Sequence, residues 1–176
     1  MSSSGVWKAF EDNEITHSVA HHLAAISELM NRQGYARVSD VARYLDITRG
    51  SASLTLKALK RKHYVLEDQN KFLRLSEEAQ RIVDLVMAKR AIVRKFLKDV
   101  LHVEEQQAEI DACKVEHLLS LETGEKLLHF MSFLLSDTPM ARQFLEAFRD
   151  EEALCHGLEL CPICEDECLF HMQIEA

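Results

Sequence analysis

Three side chains able to bind a metal ion lie close together in the segment DACKVEHLLS. Cys113, Glu116 and His117 are three and four residues apart, so a helix would present them on one face. The side expected to face the core carries Val115, Leu118 and Leu119. The simpler alternative is a solvated helix face, although cysteine is seldom exposed without a use. Because thiolate, carboxylate and imidazole all bind divalent transition metals, the spacing favours half of a metal site.

Imidazole groups are concentrated in the segment HSVAHH near the amino terminus. His17 and His21 are one helical turn apart, and His22 is adjacent to His21. A single histidine in a helix is more often a surface or core residue than a ligand. The metal-binding pattern around Cys113 reverses that preference for His21, whereas His17 and His22 stay weaker candidates.

Four further cysteines lie within fourteen residues near the carboxyl terminus, in the segment CHGLELCPICEDECLFH. They are Cys155, Cys161, Cys164 and Cys168. The Cys-Pro-Ile-Cys spacing allows two thiolates to share one ion. A structural zinc site and a [4Fe–4S] cluster both use four thiolates, and a reactive tail without metal is the third alternative. The sequence does not separate the zinc and iron–sulfur alternatives.

Charged residues divide the chain into a basic part and an acidic part. Residues 35–74 contain nine Lys and Arg against four Asp and Glu, whereas residues 104–176 contain four against seventeen. The net charge of −8 therefore conceals a local basic region. Such asymmetry indicates a polyanion-binding part joined to a part with another task.

The basic part has the pattern of a winged helix-turn-helix. One short helix is predicted over residues 40–45 with Ser39 as its amino-terminal cap, and a second one, capped by Thr48, is predicted to reach about Lys62. The segment YVLEDQNKFLRLS then alternates apolar and polar residues around a Gln-Asn turn, which predicts a β-hairpin wing. The side chains expected to contact DNA bases or phosphates are Arg37, Ser39, Thr48, Arg49, Ser51, Ser53, Thr55, Lys57, Lys60, Arg61, Asn70 and Lys71.

The whole sequence favours a mainly α fold class. Pro (2 residues) and Gly (5 residues) are scarce, which is typical of helical proteins. A first helix is predicted to begin at a cap formed by Thr16 and to run to about Gln33, with Gly34 as its stop. Further helices are predicted over residues 77–101, 104–121, 123–135 and 138–152. No apolar run could span a bilayer and no signal peptide is recognised, so a cytoplasmic location without a membrane partner is expected. The expected organisation is a winged-helix DNA-binding domain (1–76), an all-helical dimerisation and metal-sensing domain (77–153) and a Cys-rich tail (154–176).

These segments together resemble the iron- and manganese-dependent repressors typified by the diphtheria toxin repressor and the manganese transport regulator. The matching stretches are HSVAHHLAAISELM, YARVSDVARYL, ITRGSASLTLKALKRKHYV, FLKDVL and DACKVEHLLS. The Cys-x-x-Glu-His element is the specific part, because winged helices alone are common. The resemblance implies a homodimer whose metal-loaded form binds double-stranded operator DNA, without a small-molecule substrate. It places the primary metal ligands on His21, Cys113, Glu116 and His117.

The chain departs from this family at the position of a second, ancillary metal site. The corresponding residues are Arg90, Arg94 and Glu109, and guanidinium groups do not bind metal ions. The second site is therefore expected to be absent or replaced by an arginine–carboxylate contact.

The predicted function is a metal-dependent transcriptional regulator, a repressor of genes for metal homeostasis and for iron in particular. The predicted ligand set is softer than the oxygen-rich sets that suit manganese, which favours Fe(II), Co(II), Ni(II) or Zn(II). The resemblance makes Fe(II) the first choice, because the Cys-bearing members of the family lean to iron, with Zn(II) or Mn(II) as alternatives. The alternative function is a redox-sensing or iron–sulfur-sensing regulator switched by the tail cysteines. An enzyme is not expected, because the pair formed by Cys113 and His117 has no Gly-rich turn nearby to form an oxyanion hole.

Overall fold

A computed structural model of the protein describes residues 15–150. Residues 1–14 and 151–176, with the four predicted tail ligands, lie outside the described residues. The elements in chain order are α1 (His17–Gln33), α2 (Val38–Tyr44), α3 (Arg49–Arg61), β1 (Val65–Glu67), β2 (Leu73–Leu75), α4 (Glu77–Lys95), a π-helical turn (Phe96–Val100), α5 (Glu105–Val115), α6 (Leu121–Leu134) and α7 (Pro139–Asp150). The predicted fold class, mainly α with one small hairpin, is confirmed.

Helix α1 begins and ends where the sequence predicts. The Thr16 hydroxyl accepts a hydrogen bond from the amide of Val19 at 3.3 Å, which satisfies one of the free donors of the first turn. Gly34 has a left-handed φ of 79° and donates its amide to the carbonyl of Met30, so the helix stops there.

The helix-turn-helix contains one confirmed cap and one wrong prediction. Thr48 caps α3 as expected, because its hydroxyl accepts the amide of Ser51 at 3.1 Å. Ser39 does not cap α2, which already begins at Val38. The carboxylate of Asp40 instead accepts the amide of Arg37 at 3.1 Å, which stabilises a helix start two residues earlier than predicted.

The wing consists of β1, β2 and the loop between them. The strands are antiparallel, with Val65 opposite Leu75. In the loop, the carboxylate of Asp68 accepts the amides of Asn70 and Phe72 at 2.9 and 2.8 Å, as Asp does in tight turns. The predicted wing is thus present, and its loop is held by one aspartate.

One hydrophobic core unites the wing, α1 to α3 and the first turns of α4. Its fully buried large side chains are Leu23, Ile26, Val41, Leu56, Leu59, Val65 and Leu73. Strand β2 is also tied to the segment after α1, since the amide of Leu73 donates to the carbonyl of Ala36 at 2.8 Å. Helix α1 therefore forms part of the winged-helix core.

The long helix predicted over residues 77–101 is present but changes its winding. It is α-helical to Lys95 and continues as a π-helical turn to Val100, where the amide of Leu101 bonds to the carbonyl of Phe96 at 3.1 Å. The helix predicted over residues 104–121 is shorter, because α5 ends at Val115.

The chain divides into two compact units between Ser132 and Phe133. The first contains every element up to most of α6, and the second contains the end of α6 and α7. The described residues contain no helix that is both long and apolar enough to cross a bilayer. The predicted boundaries at 76 and 153 stay predictions.

Two leucines on α3 test which face of that helix is buried. Leu56 is 0% exposed and Leu54 is 73% exposed. We expect Leu56→Ala to reduce the free energy of unfolding by about 2–5 kcal/mol, because it leaves a cavity in the core. Leu54→Ala should change it by less than about 0.5 kcal/mol. Urea unfolding followed by circular dichroism measures both values, and equal losses would contradict the observed orientation of α3.

Candidate functional site

Helix α1 and the end of α5 bring predicted metal ligands together from distant parts of the sequence. The Nε2 atom of His21 lies 3.2 Å from the Sγ atom of Cys113, although 92 residues separate them. The same Nε2 atom lies 3.7 Å from the Oε1 atom of Glu116. One nitrogen atom of His21 therefore lies close to both the thiol of Cys113 and the carboxylate of Glu116.

His17 joins this group more closely than the sequence indicated. Its ring centroid lies 4.1 Å from that of His21 and 5.2 Å from that of His117. Donor atoms of His17, His21 and Cys113 all lie within 4.8 Å of one another. The sequence signal for this position is the spacing of one helical turn between His17 and His21, which is more informative than the sequence analysis assumed.

His22 lies on a different face of α1 from the group around His21. Its side chain is buried, and its Nδ1 atom donates to the carbonyl of Ser18 at 2.7 Å. The carbonyl oxygen can only accept, so Nδ1 carries a proton. Of the two open histidine candidates, the structure brings only His17 to the metal-binding group.

Glu116 is a buried carboxylate just beyond the last residue of α5. It is 2% exposed, and burial raises the pKa of its carboxyl group. Its Oε2 atom lies 3.6 Å from Nη1 of Arg90. The inward face of this segment is formed by Ala108, Ala112 and Glu116, at a spacing of four residues.

The expectation that Leu118 and its apolar neighbours face the core is wrong for Leu118, which is 46% exposed. Helix α5 ends at Val115, and the amide of Leu118 bonds back to the carbonyl of Val115 at 2.9 Å in a tight turn. Helical spacing therefore does not extend to Leu118. His117 lies in the same turn and is half-buried.

Arginine–carboxylate contacts occupy the predicted position of the ancillary site. The Nε atom of Arg90 donates to Glu109 at 3.0 Å, and a second nitrogen of the same guanidinium also contacts it. Arg94 lies 3.5 Å from Glu109 and 3.6 Å from Glu105. The contact expected in place of a second metal site is therefore present.

Protonation equilibria at the cluster are shifted by burial and by neighbouring charges. Burial, followed by the charges of His17 and Arg90, lowers the pKa of His21 to about 4, so its ring is neutral at pH 7. Burial and the nearby Glu116 raise the pKa of the Cys113 thiol. The site therefore offers a ready imidazole lone pair and a thiol that must lose a proton before it can bind a metal.

The geometry of these donors fits one divalent ion. Neighbouring ligand atoms in a tetrahedral site with bonds of about 2.0–2.3 Å lie roughly 3.3–3.8 Å apart. The distances of 3.2 and 3.7 Å from His21 to Cys113 and Glu116 are close to this range. A buried carboxylate at the same point supplies the negative charge that a cation requires.

The predicted DNA-contacting residues lie on α3, the wing and the start of α2. Exposed side chains are those of Arg37, Thr48, Arg49, Ser51, Ser53, Lys57, Arg61, Asn70 and Lys71, and half-buried ones are those of Ser39, Thr55 and Lys60. Some of these side chains also make contacts within the protein. The guanidinium of Arg37 stacks 4.5 Å from the centre of the Phe72 ring, and the Thr48 hydroxyl is used by the cap of α3.

Metal binding should release a proton from Cys113. Because the pKa of this thiol is raised, a bound ion must displace its proton, so affinity should rise with pH and fall as pH falls. Titration of weakly buffered protein with Zn(II) should release about one more proton per ion from wild type than from Cys113→Ala. His21 should release none at pH 7, because its pKa is about 4. Equal release from both proteins would contradict thiolate ligation.

Comparison with known proteins gives the chain a family context. Residues 76–142 match the family model described as "Iron dependent repressor, metal binding and dimerisation domain". The chain is 24% identical over 139 residues to the HTH-type transcriptional regulator MntR of Lysinibacillus sphaericus (strain C3-41), and the match covers 79% of this chain and 99% of that protein. The matched domain contains Cys113, Glu116 and His117.

Solved structures show the same fold at low sequence identity. IdeR from T. acidophilum aligns with a TM-score of 0.57 and 19% identity over 68% of this chain and 55% of its own. The manganese regulator SloR aligns with a TM-score of 0.59 and 22% identity over 64% of this chain and 53% of its own. The chain thus spans about half the length of these solved relatives but nearly all of MntR. The resemblance predicted from the sequence, to the metal-dependent regulators typified by the diphtheria toxin repressor and the manganese transport regulator, is confirmed by these matches.

Proposed function

We propose that this regulator is a repressor of metal-homeostasis genes in the cytoplasm, and that His21, Cys113, Glu116 and His117 form its regulatory metal site. The observation that carries the proposal is the meeting of His21 on α1 with Cys113 and Glu116 at 3.2 and 3.7 Å. Helix α1 belongs to the winged-helix core, whereas Cys113 lies in the matched metal-binding and dimerisation domain. The site therefore connects the DNA-reading part to the part that matches a metal-binding domain.

Three residues of the site, His21, Cys113 and Glu116, have distinct roles in this proposal. His21 offers an unprotonated Nε2 at neutral pH, and Cys113 offers sulfur after losing its proton. Glu116 brings a buried negative charge, which Arg90 balances in the absence of another cation. His17 is a further candidate ligand, since its donor atoms lie in the same group.

The donor types favour a borderline transition metal. Sulfur and imidazole nitrogen are softer than the oxygen-rich sets that suit manganese, which favours Fe(II) and Zn(II) over Mn(II). The match of residues 76–142 to an iron-dependent repressor domain supports Fe(II) as the first choice, Zn(II) as the second and Mn(II) as the third. When bound, the ion supplies coordinate bonds that hold α1 against the end of α5. His21 is on the same helix as the buried core residues Leu23 and Ile26. A ligand bond to His21 therefore acts on a helix whose position in the core is already fixed by packing.

DNA recognition is assigned in this proposal to α3 and the wing. The first turns of α3 carry Arg49, Ser51 and Ser53, which are all exposed. Their guanidinium and hydroxyl groups can form hydrogen bonds with base edges in the major groove. Lys57 and Arg61, one and two turns further on, suit phosphates. In a homodimer, two copies of α3 would read half-sites about one DNA turn apart.

The tail cysteines form a separate proposed site for zinc or a [4Fe–4S] cluster. Support for this site is limited to the spacing of Cys155, Cys161, Cys164 and Cys168. In this proposal it is not the switch, because the regulatory ligands lie elsewhere in the chain.

The central test removes one ligand from each side of the site. We expect His21→Ala and Cys113→Ala to abolish the increase in DNA affinity on adding Fe(II) without oxygen, a loss of about tenfold or more. Circular dichroism should show a folded protein for both variants. The matched control is His129→Ala, which removes an exposed imidazole from α6. Fluorescence anisotropy with a promoter fragment pool measures binding.

A second control separates this proposal from a switch in the tail. The double variant Cys161→Ser/Cys164→Ser should keep the metal response if the site around His21 is the switch. A response that survives both single alanine variants but disappears in the double serine variant would overturn the assignment.

Glu67 should weaken DNA binding, because it neutralises two cations of the proposed DNA surface. Its carboxylate lies 2.5 Å from Nζ of Lys60 and 3.0 Å from Nζ of Lys71, and these contacts lower the pKa of Glu67. We expect Glu67→Gln to tighten binding about two- to tenfold at low salt and to steepen the salt dependence by about one unit of slope.

The control for Glu67→Gln is Glu122→Gln, which removes the same charge from the exposed start of α6. Anisotropy titrations at several salt concentrations measure both variants. Weaker binding by Glu67→Gln would show instead that Glu67 positions the two lysines for DNA.

A further inference from the structure

Helix α3 carries an exposed apolar ridge that its role in the core does not explain. Gly50, Leu54 and Ala58 follow one another at intervals of four residues and are all exposed. Leu54 is 73% exposed, the largest value among the exposed large hydrophobic residues of the described chain. The buried face of α3 is already supplied by Ala52, Leu56 and Leu59.

A polar and basic ridge runs beside the apolar one. Arg49, Ser53, Lys57 and Arg61 are also spaced by four residues and are all exposed. Leu54 is thus adjacent in sequence and space to Ser53 and lies between the turns that carry Arg49 and Lys57. A partner that covers Leu54 must also accept these cations, so its surface is negatively charged.

The charge and the apolar character of the exposed face of α3 around Leu54 together indicate which partner fits it. A second copy of the chain could offer acidic residues from its 104–176 part. DNA fits this face better, because it supplies phosphates on both sides of a groove that admits a helix. Within the major groove, the apolar group presented by the bases is the 5-methyl group of thymine. An exposed leucine in the middle of a reading helix is complementary to that group.

We propose that Leu54 reads a thymine methyl group in each half-site of the operator. This inference rests on the proposed function, because it requires α3 to lie in the major groove. It adds a base-specific apolar contact to the hydroxyl and guanidinium contacts predicted from the sequence. Leu54 provides sequence preference, while Lys57 and Arg61 provide affinity that does not depend on sequence.

The first experiment determines the preferred sequence of wild type and variants. A random pool of duplex DNA is selected on the full-length protein with whichever of Fe(II), Zn(II) or Mn(II) retains most DNA. Wild type should select thymine at one position of each half-site, and Leu54→Ala should lose that preference. Lys57→Ala should bind all duplexes more weakly and keep the thymine. Leu66→Ala, which truncates a leucine that is 51% exposed on the wing, should also keep it.

The second experiment removes only the methyl group from the selected duplex. Replacing the thymine by deoxyuridine should weaken wild-type binding about fourfold, the effect of burying one methyl group. The same replacement should leave the affinity of Leu54→Ala unchanged. Leu54→Ala removes no buried contact, so the variant is expected to stay folded.

Three results would overturn the inference, and they differ in what else they affect. An equal penalty for deoxyuridine in wild type and Leu54→Ala would show that another residue reads the methyl group. Uniformly weaker binding of Leu54→Ala to every duplex would make the leucine a non-specific contact. Failure of wild type to select any sequence with any of the ions would overturn the proposed function as well.

Discussion

The buried charge of Glu116 is the constraint on which the rest of the sensing region depends. A carboxylate that is 2% exposed loses its hydration, and an isolated buried charge would be strongly destabilising. Arg90 supplies a positive charge 3.6 Å from one oxygen of Glu116. The Nε2 atom of His21 lies 3.7 Å from the other oxygen but is unprotonated at pH 7 and adds no positive charge. The raised pKa of Glu116 shows that this compensation is incomplete. An incompletely balanced buried carboxylate beside a thiol and a neutral imidazole is suited to receive a cation.

Helix α1 connects the surroundings of Glu116 to the winged helix, because it carries His21 and also packs in the winged-helix core. Leu23 and Ile26 fix one face of the helix in the core, and His22 is anchored on the helix through Ser18 at 2.7 Å. The direction of His21 is therefore determined by packing as well as by its own contacts. A change in how His21 is bound must act on a rigid helix whose core partners include α2, α3 and β2. In the proposed function, this shared helix couples metal binding to DNA reading.

Sequence patterns were sufficient where local interactions determine the structure. Thr16, Gly34 and Thr48 act as predicted because capping depends on one side chain and the adjacent backbone. The Cys-x-x-Glu-His spacing indicated Cys113 and Glu116, which both lie close to His21, although α5 ends before Glu116 and His117. Spacing failed where a tertiary or competing local contact decides: Asp40 displaced the predicted cap at Ser39, and a tight turn exposed Leu118. The exposure of Leu54 could not be read from composition, since every fourth residue of α3 is a plausible core position until the packing is known.

The acidity of the whole chain makes the short-range contacts of α3 more important for selectivity. With a net charge of −8, the protein repels DNA at long range, and the local excess of five positive charges in residues 35–74 acts only when this region faces the duplex. Glu67 reduces that excess further by pairing with Lys60 and Lys71. Weak non-specific attraction leaves a larger share of the total affinity to base contacts, and base contacts alone distinguish one sequence from another. A regulator with this charge distribution therefore favours specificity over affinity, and an apolar base contact is consistent with that balance because salt does not screen it.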